Sequence, residues 1–155
     1  MSEQDIEIAL ERCPACQQEQ VSLRKFNDGN VIDCAACGRF AITREAADDN
    51  ALQDPPNWWT AKRRAVLAHR LRRRTGFKLV QGESIPELNN STIQRFRSDD
   101  PQLPTRLQQA DYAIRFIGDL EAQLGEVPHL LPDGTWAYFG CVSSQAAADL
   151  LRDLA

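Results

Sequence analysis

The residues best placed to do chemistry are cysteines. There are five: Cys13, Cys16, Cys34, Cys37 and Cys141. The first four form two C-x-x-C pairs, Cys13-Pro14-Ala15-Cys16 and Cys34-Ala35-Ala36-Cys37, separated by 17 residues. That is the spacing of a four-cysteine metal site. Zn²⁺ takes four soft ligands in a tetrahedron, with sulfur at about 2.3 Å, and each C-x-x-C turn can aim two sulfurs at one point. Four thiolates fill the shell and leave no position for a reactive water, so the metal they imply is structural. Cys13, Cys16, Cys34 and Cys37 are therefore the expected ligands and Zn²⁺ the expected cofactor. Two rival readings exist. A thioredoxin-like C-x-x-C sits at the strand-to-helix turn of a βαβ unit, and no such pattern flanks Cys13 or Cys34. Disulfides are improbable in a cytosolic chain. Cys141 stands alone and reads as a small buried apolar residue.

The elements that must position these ligands are legible around them. Gln20 to Phe26 alternates Val21 and Leu23 with polar neighbours, the period of a half-buried strand. Asn27-Asp28-Gly29-Asn30 carries a hairpin-turn signal, and Val31-Ile32-Asp33 returns the chain to Cys34. Gly38, directly after Cys37, frees the backbone to curl its N–H groups toward a sulfur. Phe40 and Ile42 suggest a third short strand. The whole predicts a zinc ribbon over residues 1–50.

A second chemistry is electrostatic. The chain has 155 residues, with 18 Lys and Arg against 22 Asp and Glu, for a net charge of −4. Residues 1–57 hold 5 basic and 11 acidic side chains, residues 58–82 hold 8 basic and none acidic, and residues 83–155 hold 5 and 11. The positive field is thus concentrated in Lys62, Arg63, Arg64, Arg70, Arg72, Arg73, Arg74 and Lys78. The spacing predicts a helix from about Ala61 to Arg74, capped by Thr60 and stopped by Gly76. Its apolar stripe comprises Ala61, Ala65, Ala68, Leu67 and Leu71. Trp58 and Trp59 precede it and can pack against the ribbon. Clustered Arg and Lys release counterions from a nucleic acid, so the leading reading is a non-enzymatic recognition module that binds nucleic acid through these eight residues. The other is a helix that pairs with acidic segments of its own chain or docks on an acidic protein partner.

The remaining sequence predicts a mainly α-helical part over residues 51–155, making the whole an α+β chain. Gly76–Val80 reads as a short strand, and Ser91 as the cap of a single-turn helix through Phe96. Thr105 caps a helix over Arg106–Ala122 with a broad apolar face that includes Leu107, Ala110, Ala113, Ile114 and Ile117, ended by Gly125. Pro132-Asp133-Gly134 is a turn, followed by a strand over Trp136–Val142. Ser143 or Ser144 caps a final helix. Helix, strand and helix fit part of a winged-helix module without its wing, or a small bundle with one edge strand.

Composition sets the outer bounds. With 43% hydrophobic and 26% charged residues, the chain matches an ordinary globular protein and is not disordered. No apolar run approaches the roughly 18 residues of a membrane span. Met1-Ser2-Glu3-Gln4-Asp5 lacks the basic and apolar regions of a signal peptide, which makes the cytoplasm the expected location. His69 and His129 have no nucleophile or carboxylate at a suggestive spacing, and the Asp48-Asp49 and Asp99-Asp100 pairs read as solvated loop carboxylates. Phosphate-loop, G-x-S-x-G and H-E-x-x-H motifs do not occur, and no enzyme is expected.

The segment from Cys13-Pro14-Ala15-Cys16 through Val31-Ile32-Asp33-Cys34-Ala35-Ala36-Cys37-Gly38-Arg39-Phe40-Ala41-Ile42-Thr43 resembles the N-terminal zinc ribbons of certain bacterial multidomain proteins, some implicated in phage defence. Lys62–Arg74 is similar to the Arg-rich helix that often follows, as are Leu103-Pro104-Thr105 and Gln109-Ala110-Asp111 to the next helix start. Gln17 departs from that pattern, standing where a glycine commonly follows the first pair. The resemblance implies a recognition or sensor module joined to a separate effector. For a chain ending at Ala155, it implies an excised domain or a protein that acts through a partner.

Overall fold

The computed structural model describes residues 8–26, 29–74, 77, 79–80, 85–124 and 133–154. Parts of the expected turn at Asn27-Asp28, the stop signals Gly76 and Gly125, Lys78, His129 and Pro132 lie outside them. The fold is α+β. Four antiparallel strands come first: β1 (Ile8–Arg12), β2 (Glu19–Phe26), β3 (Gly29–Cys34) and β4 (Gly38–Thr43). In the β3–β4 hairpin Cys34 faces Gly38 and Val31 faces Ala41, so the second cysteine pair is the turn itself. Two later strands, β5 (Leu79–Val80) and β6 (Ile85–Leu88), complete the order β1-β2-β3-β4-β6-β5, with β6 parallel to β4. The sequence reading held neither β1 nor β6. The sheet therefore continues past residue 50.

The helices are α1 (Arg44–Asp48), α2 (Ala61–Arg73), α3 (Asn90–Asp99), α4 (Arg106–Leu124), α5 (Thr135–Phe139) and α6 (Ser144–Leu154). Helix α2 starts as expected, with Thr60 accepting from the Arg63 N–H, and ends at Arg74 in a left-handed conformation. Its buried face is wider than the expected stripe. Ala65, Val66, Leu67, Ala68, His69 and Leu71 are all buried, whereas Ala61 is exposed. Helix α3 is capped by Asn89 rather than Ser91 and is 10 residues long, nearly three turns instead of one. Its cap is the better one because the Asn89 side chain takes both the backbone N–H and the hydroxyl of Thr92. Thr105 and Gln108 cap α4 reciprocally.

Two expectations are corrected in the C-terminal third. Residues 136–142 do not form a strand: Thr135–Phe139 is one helical turn, with Gly134 and Gly140 at its ends in left-handed conformations. Alternating aromatics there mimic a strand period, but a short apolar run cannot distinguish strand from helix. Winged-helix topology loses the strand on which it rested. Second, α4 does not bury the whole predicted face. It turns Ala110, Ala113 and Phe116 toward Phe139, Cys141 and Leu150, leaving Leu107 81% and Ile114 61% exposed. A helix on the outside of a fold buries one stripe only.

One apolar cluster joins Cys13, Cys34 and Cys37 to Phe40 and Ile42 of the sheet, Trp59, Val66, Leu67 and Leu71 around α2, Leu88 and Phe96. The cysteine-bearing sheet and α2 thus share a core.

Candidate metal centre

The two knuckles bring four sulfurs together. The first follows β1, where Cys13 donates its N–H to the Gln18 carbonyl and accepts from the Gln17 N–H, closing a tight loop. The second is the β3–β4 turn, in which the Cys37 N–H donates to the Cys34 sulfur at 3.5 Å. Across the centre Cys13 and Cys37 sulfurs are 3.9 Å apart, those of Cys16 and Cys34 are 3.5 Å apart, and all four lie within 4.8 Å of one another. A tetrahedron of sulfurs at about 2.3 Å from a metal has edges of about 3.8 Å, so this set fits one ion. Cys13, Cys34 and Cys37 are buried and Cys16 is half-buried; all are free thiols.

Four thiols this close cannot all ionise alone. Hydrogen bonding with Cys16, ahead of burial, pushes the Cys13 thiol up, and burial above all does the same to Cys37. Bonds from Cys13 hold Cys16 and Cys34 down. A divalent cation removes that conflict by compensating the charge of four thiolates. The four cysteines lie close enough to hold a metal ion, as their spacing predicts.

The seven of the eight basic residues that are described are not gathered into one free face. Arg64 reaches the first knuckle, donating to the Pro14 and Ala15 carbonyls at 3.1 and 3.0 Å and to the Leu52 carbonyl at 3.0 Å. Arg72 reaches the second knuckle, at 3.5 Å from the Ala35 carbonyl. Arg63 makes a bidentate pair with Asp100 at 3.0 and 3.1 Å, and its guanidinium lies 4.5 Å from the Trp58 ring centre. Arg73 stacks over Tyr112 at 4.0 Å. Among the described residues, the side chains of Lys62, Arg70 and Arg74 make no hydrogen bond or ion pair.

No protein-family model, characterised protein or solved structure matches the chain. The centre is therefore read from its own atoms.

Sequence reasoning missed the supports of the metal centre. Gly134, in a turn 97 residues beyond Cys37, holds φ +79 and lies against the second knuckle, where a Cβ would overlap the Ala35 carbonyl and the Ala36 nitrogen. Asp133-Gly134 reads as an ordinary turn, with nothing in it to identify its neighbour. Likewise, a run of Arg signals charge without saying that two of its members end on cysteine loops. Trp59 does join the cluster that holds the cysteines, with Trp58 against it. Cys141 is 2% exposed beside Phe139, Ala147 and Leu150, in a cluster separate from the four. His69 donates from Nδ1 to the Ala137 carbonyl, 2.7 Å away, and its ring lies 5.2 Å from Tyr112.

Proposed function

We propose that this chain is a zinc-ribbon module in which Cys13, Cys16, Cys34 and Cys37 hold one structural Zn²⁺, and that it works by recognition rather than catalysis. The convergence of four cysteine sulfurs within 4.8 Å carries the reading. An all-thiolate shell favours Zn²⁺ and leaves no open coordination position. Five free thiols suit the reducing cytoplasm. Among the described residues no helix is long and apolar enough to cross a membrane.

The partner is a protein with an acidic surface. Arg63, Arg64, Arg72 and Arg73 are engaged within the fold. Among the described residues, that leaves Lys62 and Arg70 on α2 and Arg74 at its C-terminal cap. Nucleic-acid affinity grows with the number of phosphates neutralised, and three such charges on a chain of net −4 offer few contacts. The nucleic-acid reading is retained as the alternative because those three side chains lack partners among the described residues.

Two measurements test this. Metal analysis of the purified chain should give one zinc per chain; none, with no uptake on titration, rejects the ribbon. A salt titration with labelled single-stranded and duplex nucleic acid should show no binding even at low salt. Binding that weakens steeply with salt would move α2 to the nucleic-acid reading.

A further inference from the structure

The arginines of α2 that point into the fold do not serve one purpose. Arg63 ties the helix to Asp100 and the Trp58 carbonyl. Arg64, one residue on, leaves the same helix toward the metal centre. Its Nη1 donates to the carbonyls of Pro14 and Ala15, the two residues between Cys13 and Cys16, while its Nη2 donates to Leu52 and the Gln53 side chain. The guanidinium is thus gripped from outside by the 52–53 loop and grips the knuckle from inside. Fixing both carbonyls fixes two of the three peptide planes that run between the ligands, the 14–15 plane and the 15–16 plane that leads into Cys16. It also places a permanent positive charge beside sulfurs that must be thiolates to bind metal.

We propose that Arg64 is the positioning residue of the metal centre, setting metal affinity by orienting the Cys13–Cys16 knuckle and offsetting its thiolate charge. This rests on the zinc-ribbon reading above. One further observation agrees. Gln17, which follows the knuckle, holds φ 64, a left-handed conformation unusual for a residue with a Cβ, so this loop is held in shape rather than falling into it. Among the described residues the partner knuckle has no equivalent side-chain grip: Arg72 makes one bond there, at 3.5 Å and exposed. Supports of this kind around ligands typically govern about 10- to 100-fold in metal affinity.

The test uses the full chain and zinc alone as the probe, with affinity read by competition against a colorimetric chelator. Parent protein that takes up no zinc defeats the ribbon reading before any variant is measured. With the parent loaded, Arg64→Gln should weaken zinc about 10- to 100-fold. Arg64→Lys keeps the charge but loses the fork, and should fall between Arg64→Gln and the parent. Arg63→Gln, which disturbs the same turn of α2 but touches neither knuckle, should stay within about twofold. The cobalt-substituted Arg64→Gln protein should show altered thiolate-to-metal absorption, a change that loosening of α2 alone would not produce. If Arg64→Gln purifies unfolded, free zinc should restore its helical signal at a concentration about 10–100 times that needed by the parent. Affinity within twofold of the parent, an equal loss in Arg63→Gln, or an unfolded Arg64→Gln that zinc cannot restore would each overturn the proposal.

Discussion

The two cysteine loops are alike in sequence and unlike in construction. Each has two small or rigid residues between its cysteines, and each is followed by a left-handed residue, Gln17 after the first and Gly38 after the second. The second loop is a hairpin turn with paired strands on both sides, and Gly134 packs its backbone against Ala35 and Ala36. The first loop also joins two paired antiparallel strands, β1 and β2, with Arg12 opposite Glu19, but what reaches its carbonyls is a side chain, Arg64. One knuckle is shaped by backbone packing and the other by guanidinium hydrogen bonds. The same ligand pair can thus be preorganised in two ways, with different vulnerabilities. Backbone packing fails sterically and all at once, whereas a side-chain clamp can be weakened in steps.

Several experiments would sharpen or break that contrast. The largest effect should come from the metal that we propose they share. Structural zinc in small domains is worth on the order of 10 kcal/mol. Chelation, or Cys37→Ser, should therefore abolish the protein's cooperative thermal transition, while Cys141→Ala should leave zinc stoichiometry at one. A transition indifferent to chelator would remove the basis for comparing the knuckles.

Next is Gly134→Ala. It adds a Cβ at φ +79 and drives it into the Ala35–Ala36 peptide, so a loss of roughly 2–4 kcal/mol is expected in urea unfolding. A loss under about 0.5 kcal/mol would mean that the second knuckle does not depend on this contact. Arg72→Gln should then change zinc affinity by less than about threefold, because its bond is long and exposed. An effect equal to that of Arg64→Gln would make the two knuckles equivalent after all.

His69 supplies a smaller, pH-dependent effect. Burial first, with the Arg73 and Arg70 charges, holds its pKa below the ordinary value, against the Ala137 carbonyl bond that raises it. The unfolded chain therefore takes up the proton more readily, and stability rises with pH across this interval. The contribution is complete above about pH 6.5 and declines as the pH falls through the lower folded value, by at most about 1.4 kcal/mol per pH unit. Because acid also releases metal from thiolates, the measure is the difference in slope between the parent and His69→Asn. Equal slopes would remove His69 from the account. The smallest effect is Gln17→Gly. Relief of the left-handed strain, less the Gln17 side-chain bond to the Cys13 carbonyl, should stabilise the protein by up to about 1 kcal/mol in the same unfolding assay.

Much of the centre was legible because its signals are local. The C-x-x-C pairs, the alternation of Val21 and Leu23, the Thr60 cap and the Thr105 cap each depend on residues a few positions apart, and these ligands and helix starts lie where the spacing puts them. What escaped depends on distant partners. The strand β6 exists because Leu88 finds Ile42, and nothing within Ile85–Leu88, with its Pro86, announces a strand. The aromatic alternation at 136–139 was misread because burial on two sides of a short helix gives the same pattern as one side of a strand. Basic residues on α2 were visible as charge. Their division among carbonyls, a carboxylate and aromatic rings follows from tertiary neighbours that no window of sequence contains.

The parallel pairing of β6 with β4 has one more consequence. After β4 the chain leaves the sheet and returns more than 40 residues later to cover that strand's outer side. Without that return, Ala41 and Ile42 would sit on an open edge with unpaired backbone groups, the kind of template on which other chains assemble. A fragment cut at residue 50 would carry every metal ligand and still expose that edge. It should therefore self-associate even when loaded with zinc. The later strand acts as a guard on solubility, and the length of chain needed for a well-behaved ribbon is set by edge protection rather than by the ligands.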